Sequence, residues 1–250
     1  NLALEFKGHE DMIRSITIDK SGQYLASGSD DGELKIWEIS TSRCLKTIKL
    51  DEGIIRSVEW CPNSALNLIL IACGNSVILI NPNVGDSLIN SKTDSVLSQM
   101  PNENDAIQSE RVKSTVVWMK SDEITEEKYE KGYRIQLKHF KQVSQVAWHG
   151  KGDYFAAVMP EGQNRSVLIS QISRRRSQIP FSKSKGLVQC VQFHPTKPYL
   201  FVATQRHVRI YDLVKQMLIK KLLTNSKWIS TMAIHPLGDN LLVGTYDRKM

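Results

Sequence analysis

Apolar and polar positions alternate along this chain in short runs, and one alternating phrase returns at a spacing of about forty residues. Ile13-Arg14-Ser15-Ile16 comes back 42 positions later as Ile55-Arg56-Ser57-Val58. Val143-Ser144-Gln145-Val146, Val188-Gln189-Cys190-Val191 and Ile229-Ser230-Thr231-Met232 repeat it with steps of 45 and 41. Such alternation buries one face of a β-strand, and helical periodicity is scarce. A period of this length built from short strands predicts the radial four-stranded sheets, or blades, of an all-β propeller.

The first blade is the clearest. Gly8-His9 opens it, Ile13 to Ile18 and Tyr24 to Ser29 read as strands, and Asp30-Asp31-Gly32 reads as a tight turn. Leu34 to Trp37 is the third strand and Cys44 to Ile48 the outer one. An Asp-Gly turn between alternating runs is a strong hairpin signal. These features resemble the WD-repeat family, whose blades open with Gly-His and close a strand with Trp-Asp; here the closing pair is Trp37-Glu38. The resemblance implies a hydrogen-bonded chain of His9, Ser27 or Ser29, Asp31 and Trp37. A buried carboxylate needs donors, and imidazole, hydroxyl and indole groups supply them. These residues are expected to be structural.

Later blades are more degenerate. The second ends at Ile80-Asn81-Pro82, the fourth at Tyr211-Asp212, and the fifth stops after its turn. This predicts about four and a half blades. The chain begins at Asn1 and ends within a blade pattern, which reads as a piece of a longer protein. His149, His194 and His235 follow the first strand of successive blades. A large rotation separates neighbouring blades, so these histidines are expected to be turn residues and not metal ligands.

From the second to the third phrase the step is 88, about twice the period. Either a blade has lost its signature or an insertion is present, and residues 86–137 favour a polar, acidic insertion after blade two. Asp86 to Gln108 reads as a mobile loop. Ser121-Asp122-Glu123 with Glu126-Glu127 reads as a short capped helix. Val116 to Met119 and Tyr133 to Leu137 read as strands rejoining the propeller. The division expected is blades one and two over 1–85, insertion over 86–137, and blades three to five over 138–250.

The chain has 250 residues, 41% of them hydrophobic, enough for a sizeable core. The longest apolar stretch, Leu68 to Cys73, is about a quarter of a membrane span. The four cysteines, Cys44, Cys61, Cys73 and Cys190, form no CxxC pair and read as reduced thiols. The net charge of +7 hides an asymmetry. Residues 1–137 carry 15 Lys+Arg against 21 Asp+Glu, and residues 138–250 carry 18 against 5. A basic half suggests a polyanionic partner.

The sharpest non-structural segment runs from Ser173 to Lys185 and contains Arg174, Arg175, Arg176, Lys183 and Lys185 with no acid among them. Arginine matches phosphate bidentately and lysine adds charge. Phe181 is placed either to stack on a base or to anchor the loop. The competing reading of the segment is a solvated basic loop or a nuclear-import signal. Lys215, Lys220, Lys221 and Lys227 form a more diffuse set, read as a solvated face. The pattern of an enzyme is missing. Gly150-Lys151-Gly152-Asp153 lacks the spacing of a phosphate loop, no Gly-x-Ser-x-Gly elbow occurs, and no carboxylate pair stands out. A non-enzymatic protein without cofactor or metal is expected.

A narrower resemblance then emerges. Gly8-His9-Glu10-Asp11, Ile80-Asn81-Pro82 with Gly85-Asp86, and Trp148-His149-Gly150-Lys151-Gly152-Asp153-Tyr154 are similar to the C-terminal propeller of the block-of-proliferation family. So are Ser173-Arg174-Arg175-Arg176-Ser177-Gln178 with Pro180-Phe181, Phe193-His194-Pro195, Lys227-Trp228-Ile229-Ser230, and His235-Pro236 with Gly238-Asp239-Asn240. The resemblance implies a seven-bladed WD40-type propeller in the full protein. It also implies a nuclear scaffold, in nucleolus and nucleoplasm, for large-subunit ribosome biogenesis and maturation of 28S-type and 5.8S rRNA. The partners implied are pescadillo, a second WD-repeat protein of the same trimer, pre-ribosomal particles and pre-rRNA. The rival expectation is a protein–protein adaptor without RNA contact.

Overall fold

The computed structural model describes residues 3–99, 108–119, 121–181, 186–225 and 228–247. Its first sheet joins β1 (Ile13–Ile18), β2 (Tyr24–Ser29), β3 (Glu33–Glu38) and β4 (Cys44–Lys49) in sequence order. The second contains β5 (Ile55–Trp60), β6 (Ile69–Cys73) and β7 (Ser76–Ile80), then β9 (Tyr133–His139) and outermost β8 (Val116–Trp118). The third is β10 (Gln145–Trp148), β11 (Tyr154–Val158), β12 (Val167–Gln171) and β13 (Arg176–Gln178). The fourth is β14 (Val188–Phe193), β15 (Tyr199–Thr204), β16 (His207–Asp212) and β17 (Met217–Leu223). The fifth pairs β18 (Ile229–Ile234) with β19 (Leu241–Thr245). Neighbouring strands in these sheets pair antiparallel. The first strands pack in series, β1 on β5, β5 on β10, β10 on β14 and β14 on β18, which is a propeller built around its innermost strands.

Each repeated phrase makes one inner strand, and in the first three its third residue clasps the next blade. The Val58 N–H donates to Ser15 Oγ at 3.0 Å, the Val146 N–H to Ser57 Oγ at 3.3 Å, and the Val191 N–H to Gln145 Oε1 at 2.8 Å. Apolar residues, mostly of the second and third strands, fill the seams. Ala26, Leu34 and Ile36 meet Ile69, Ile71 and Ile78 between blades one and two. Leu70, Leu79 and Leu137 meet Val146, Phe155 and Leu168 between blades two and three. Each fully buried Val, Leu, Ile or Phe contributes roughly 1.5–3 kcal/mol. Gly28 is required at the first seam, because a Cβ there would stand 2.3 Å from Ile55 Cγ2.

Residues 86–132 depart from the sequence expectation in two ways. Blade two does not close at residue 85: its outer strand is β9, so the insertion interrupts the blade between third and fourth strands instead of following it. Part of the expected loop is a helix, α1 (Ser87–Ser98), capped by the Asp86 carboxylate accepting from the Leu88 N–H. Its inner face is mostly polar, with Asn90, Thr93 and the half-buried Asp94, and adds only Leu97 to the apolar core. Thr93 Oγ1 accepts from the Asn67 N–H at 2.9 Å, and Arg134 grips Asp94 through Nε at 2.7 Å and Nη2 at 3.0 Å. A short α2 (Glu110–Lys113) precedes β8. The acidic helix is α3 (Glu126–Lys131); it is capped by Thr125, not Ser121, and stopped by left-handed Gly132. Lys128, Tyr133 and Gln136 converge on Glu52 at 2.7, 2.8 and 2.9 Å and tie the end of the insertion and β9 to the link between β4 and β5.

Candidate nucleic-acid interface

The arginine triplet forms the turn between β12 and β13. The Arg175 N–H returns to the Ile172 carbonyl at 3.1 Å, and Arg175 takes a left-handed φ of 46°. Asp153 accepts from the Ser173 N–H and hydroxyl, both at 2.9 Å, and fixes where the turn begins. This geometry divides the triplet. Arg174 is exposed and Arg176 half-buried, and both border a cavity of about 130 Å³ beside Tyr154 and Gln171. Arg176 also borders a second cavity of about 420 Å³ with Arg111, Pro180 and Phe181.

Arg175 corrects the sequence expectation that all three arginines face outward. Its residue is 6% exposed, and its guanidinium lies over the Trp118 ring at 5.9 Å from the centroid. Among the described residues its Nε has no hydrogen-bond partner, and burial pushes its pKa down from the usual arginine value. The Trp118 indole donates to Ser177 Oγ at 2.9 Å, which in turn meets Ser170 Oγ at 2.8 Å. Arg165 stacks on Phe140 at 4.0 Å and donates to Ser114 and Thr115, while Arg111 donates to the Asn164 carbonyl. Three arginines therefore clamp the insertion and blade two to blade three. The sequence reading missed Arg111 and Arg165 because each stands alone in sequence.

Phe181 stacks on Tyr211 with centroids 4.4 Å apart and rings inclined by 17°, so it anchors its segment to blade four. Lys183, Lys185 and Lys227 lie outside the described residues. Lys215, Lys220 and Lys221 are exposed. The three turn histidines stay apart. His149 lies edge-on to Phe193, His194 is buried and accepts from the Thr196 and Lys197 N–H groups, and His235 pairs with Asp239 at 2.9 Å. Cys61, Cys73 and Cys190 are buried free thiols and Cys44 is an exposed one.

Residues 1–147 match the family model described as Vps42 beta-propeller, and residues 177–212 match the WD domain, G-beta repeat. An Aedes aegypti protein named Ribosome biogenesis protein BOP1 homolog is 60% identical over 247 residues, which is 99% of this chain and 28% of that protein. Proteins of the same name from Drosophila willistoni and Culex quinquefasciatus are each 58% identical, over 99% of this chain and 31% and 28% of their own lengths. The chain belongs to the BOP1 family. It spans less than a third of the relatives it matches.

In this BOP1-family chain the first blade carries the hydrogen-bonded network of a WD repeat. The Trp37 indole donates to Ser27 Oγ at 2.8 Å, Ser27 Oγ meets His9 Nε2 at 2.7 Å, and His9 Nδ1 meets Asp31 Oδ2 at 2.8 Å. The ionised Asp31 carboxylate can only accept, so His9 Nδ1 carries the proton that faces it, and in the neutral ring Nε2 accepts from the Ser27 hydroxyl, which itself accepts from Trp37. Ser29 stands outside this chain of bonds, donating to the Asp11 carbonyl and accepting from the Asp31 N–H. Burial opposes ionisation of Asp31, yet the Glu33 and Glu10 N–H groups and the His9 ring hold its carboxyl below the usual range. His9, Asp31 and Glu33 are close enough to suggest a metal trio, but both His9 nitrogens are already engaged.

Proposed function

We propose that this chain is a non-enzymatic scaffold of large-subunit ribosome biogenesis that rests its basic half on precursor rRNA. The observation that carries the reading is the β12–β13 hairpin, which presents Arg174 and Arg176 beside two cavities in the half of the chain with 18 Lys+Arg against 5 Asp+Glu. Guanidinium groups on a fixed turn suit phosphate contacts, which set position and read no sequence. The ribosome biogenesis role rests on the name that the relatives carry. The nucleolar and nucleoplasmic site, the 28S-type and 5.8S products, and the partners pescadillo and a second WD-repeat protein follow from the family resemblance. The acidic half and its insertion supply the protein-docking side.

The test is salt-dependent binding of precursor rRNA fragments. Arg174→Ala with Arg176→Ala weakens binding and flattens the log–log salt slope by about 0.7 for each phosphate no longer neutralised. Unchanged affinity and slope, together with pre-ribosome association that survives RNase, would replace the RNA reading with a protein–protein adaptor.

A further inference from the structure

Between blade one and the start of α1 lies a groove of about 600 Å³ that the RNA reading does not use. Tyr24, Leu45 and Trp60 give it apolar and aromatic walls. Leu45 is 40% exposed on its rim, and Leu88, in the first turn of α1, is 77% exposed. Three carboxylates, Asp19, Glu38 and Asp86, open into it against the single cation Lys20. The carboxylates are held in place by neutral donors: Asp19 by the Ser21 and Tyr24 N–H groups, Glu38 by the Thr41 hydroxyl, and Asp86 by the Leu88 N–H. Among the described residues none of the three is in an ion pair.

This is the reverse of the charge of the whole chain, which is +7. Aromatic rings flanked by unpaired carboxylates fit the long side chain of lysine or arginine, whose methylenes lie on the rings while the head meets the acids. The same acids repel a phosphate backbone. We propose that this groove docks an extended, basic segment of a partner protein, with alternating apolar and cationic side chains. The proposal is independent of the rRNA contact, since the groove is bordered by blades one and two and α1, whereas Arg174 and Arg176 lie in blade three.

The probe is a fluorescein-labelled peptide of Gly-Leu-Arg repeats, followed by anisotropy, with a Gly-Leu-Glu peptide as its counterpart. The arginine peptide binds and the glutamate peptide does not. Glu38→Lys combined with Asp86→Asn, which keeps an N-cap residue on α1, weakens binding about tenfold or more. Leu45→Lys, which adds a cation at the rim and leaves every carboxylate in place, weakens it as well. Glu161→Lys, an exposed acid in blade three, leaves it unchanged. Amide exchange slows at residues 19–24 and in the first turn of α1 when the peptide is added. Equal affinity across these variants, an equal loss for Glu161→Lys, or slowed exchange elsewhere and not at these two segments would overturn the groove.

Discussion

The guanidinium of Arg175 lies 5.9 Å from the centre of the Trp118 ring, joining the turn of blade three to the outermost strand of blade two. A residue in the middle of the most basic phrase is thereby a packing residue, flanked by an exposed Arg174 and a half-buried Arg176. Arg175 takes its buried place from a left-handed φ of 46° in the turn.

This division gives the first prediction. Arg175→Ala removes the stacking and the buried stem and lowers stability by about 1–2 kcal/mol. Arg175→Gly loses the same side chain but relieves the left-handed backbone, and so is about 1 kcal/mol more stable than the alanine variant. Urea midpoints measure both. Neither change flattens the salt slope of RNA binding. Equal midpoints for the two variants would show that the turn conformation differs from the one described.

The blade-one network makes a second prediction. Ser27→Ala leaves the Trp37 N–H and His9 Nε2 without partners in a buried site, at a cost of about 2–3 kcal/mol. Ser29→Ala, outside the chain of bonds, costs less. The network also sets an acid limit. The folded pKa of Asp31 is depressed, so its contribution is complete above the ordinary value of 3.8 and is lost as pH falls through the lower folded value. Thermal unfolding from pH 6 to pH 2 follows this loss. In Asp31→Asn the loss of stability below pH 3.8 is shallower.

Much of this fold was legible because its signals are local. The alternating phrases locate all five inner strands, and Asp30-Asp31-Gly32 marks the first hairpin. The motifs around the Arg triplet and Trp148-His149-Gly150 pointed to the family that the relatives then showed. Helix α1 escaped because Asn90, Thr93 and Asp94 interrupt its inner face and Leu97 is its one buried apolar side chain, too little for a hydrophobic period to show. Pairing of β9 with β7 escaped for a similar reason: more than fifty residues separate the partners, and nothing local distinguishes an outer strand from a new blade. The orientation of Arg175 depends on one left-handed residue and on Trp118, neither of which a charge count senses.

Glu59 yields a third prediction with the opposite sign in pH. Burial pushes its carboxyl up from 4.5 to about 7, and the Trp148 N–H donating to it at 2.7 Å only partly offsets this. A raised acid costs the folded state stability as pH climbs from 4.5 towards 7. One pKa unit is about 1.4 kcal/mol, and partial access to water reduces the penalty to about 1–2 kcal/mol. Glu59→Gln keeps an acceptor for Trp148 and removes the charge. The variant melts higher than the parent at pH 8 and at nearly the same temperature at pH 5. A gain of equal size at both values would mean that the charge is not the cause.

The inter-blade clasp gives the last. Ser57 lies at the centre of the repeated phrase, 7% exposed, with its hydroxyl accepting from the Val146 N–H of the next blade at 3.3 Å. Ser57→Ala strands that N–H in an apolar seam and costs about 1–2 kcal/mol. Ser57→Val adds a branched side chain beside Val146 as well, in a seam already filled by Leu70, Ala72 and Phe155, and costs about 1 kcal/mol more. Ser144→Ala, one position before Gln145 in the following phrase, is nearly silent, because among the described residues the Ser144 hydroxyl reaches only the Val158 carbonyl of its own blade, at 3.4 Å. Urea midpoints ranked parent, Ser144→Ala, Ser57→Ala, Ser57→Val from most to least stable would show that the third residue of this phrase holds one blade to the next. If Ser144→Ala costs as much as Ser57→Ala, the polar members of the phrase act within their own blade instead.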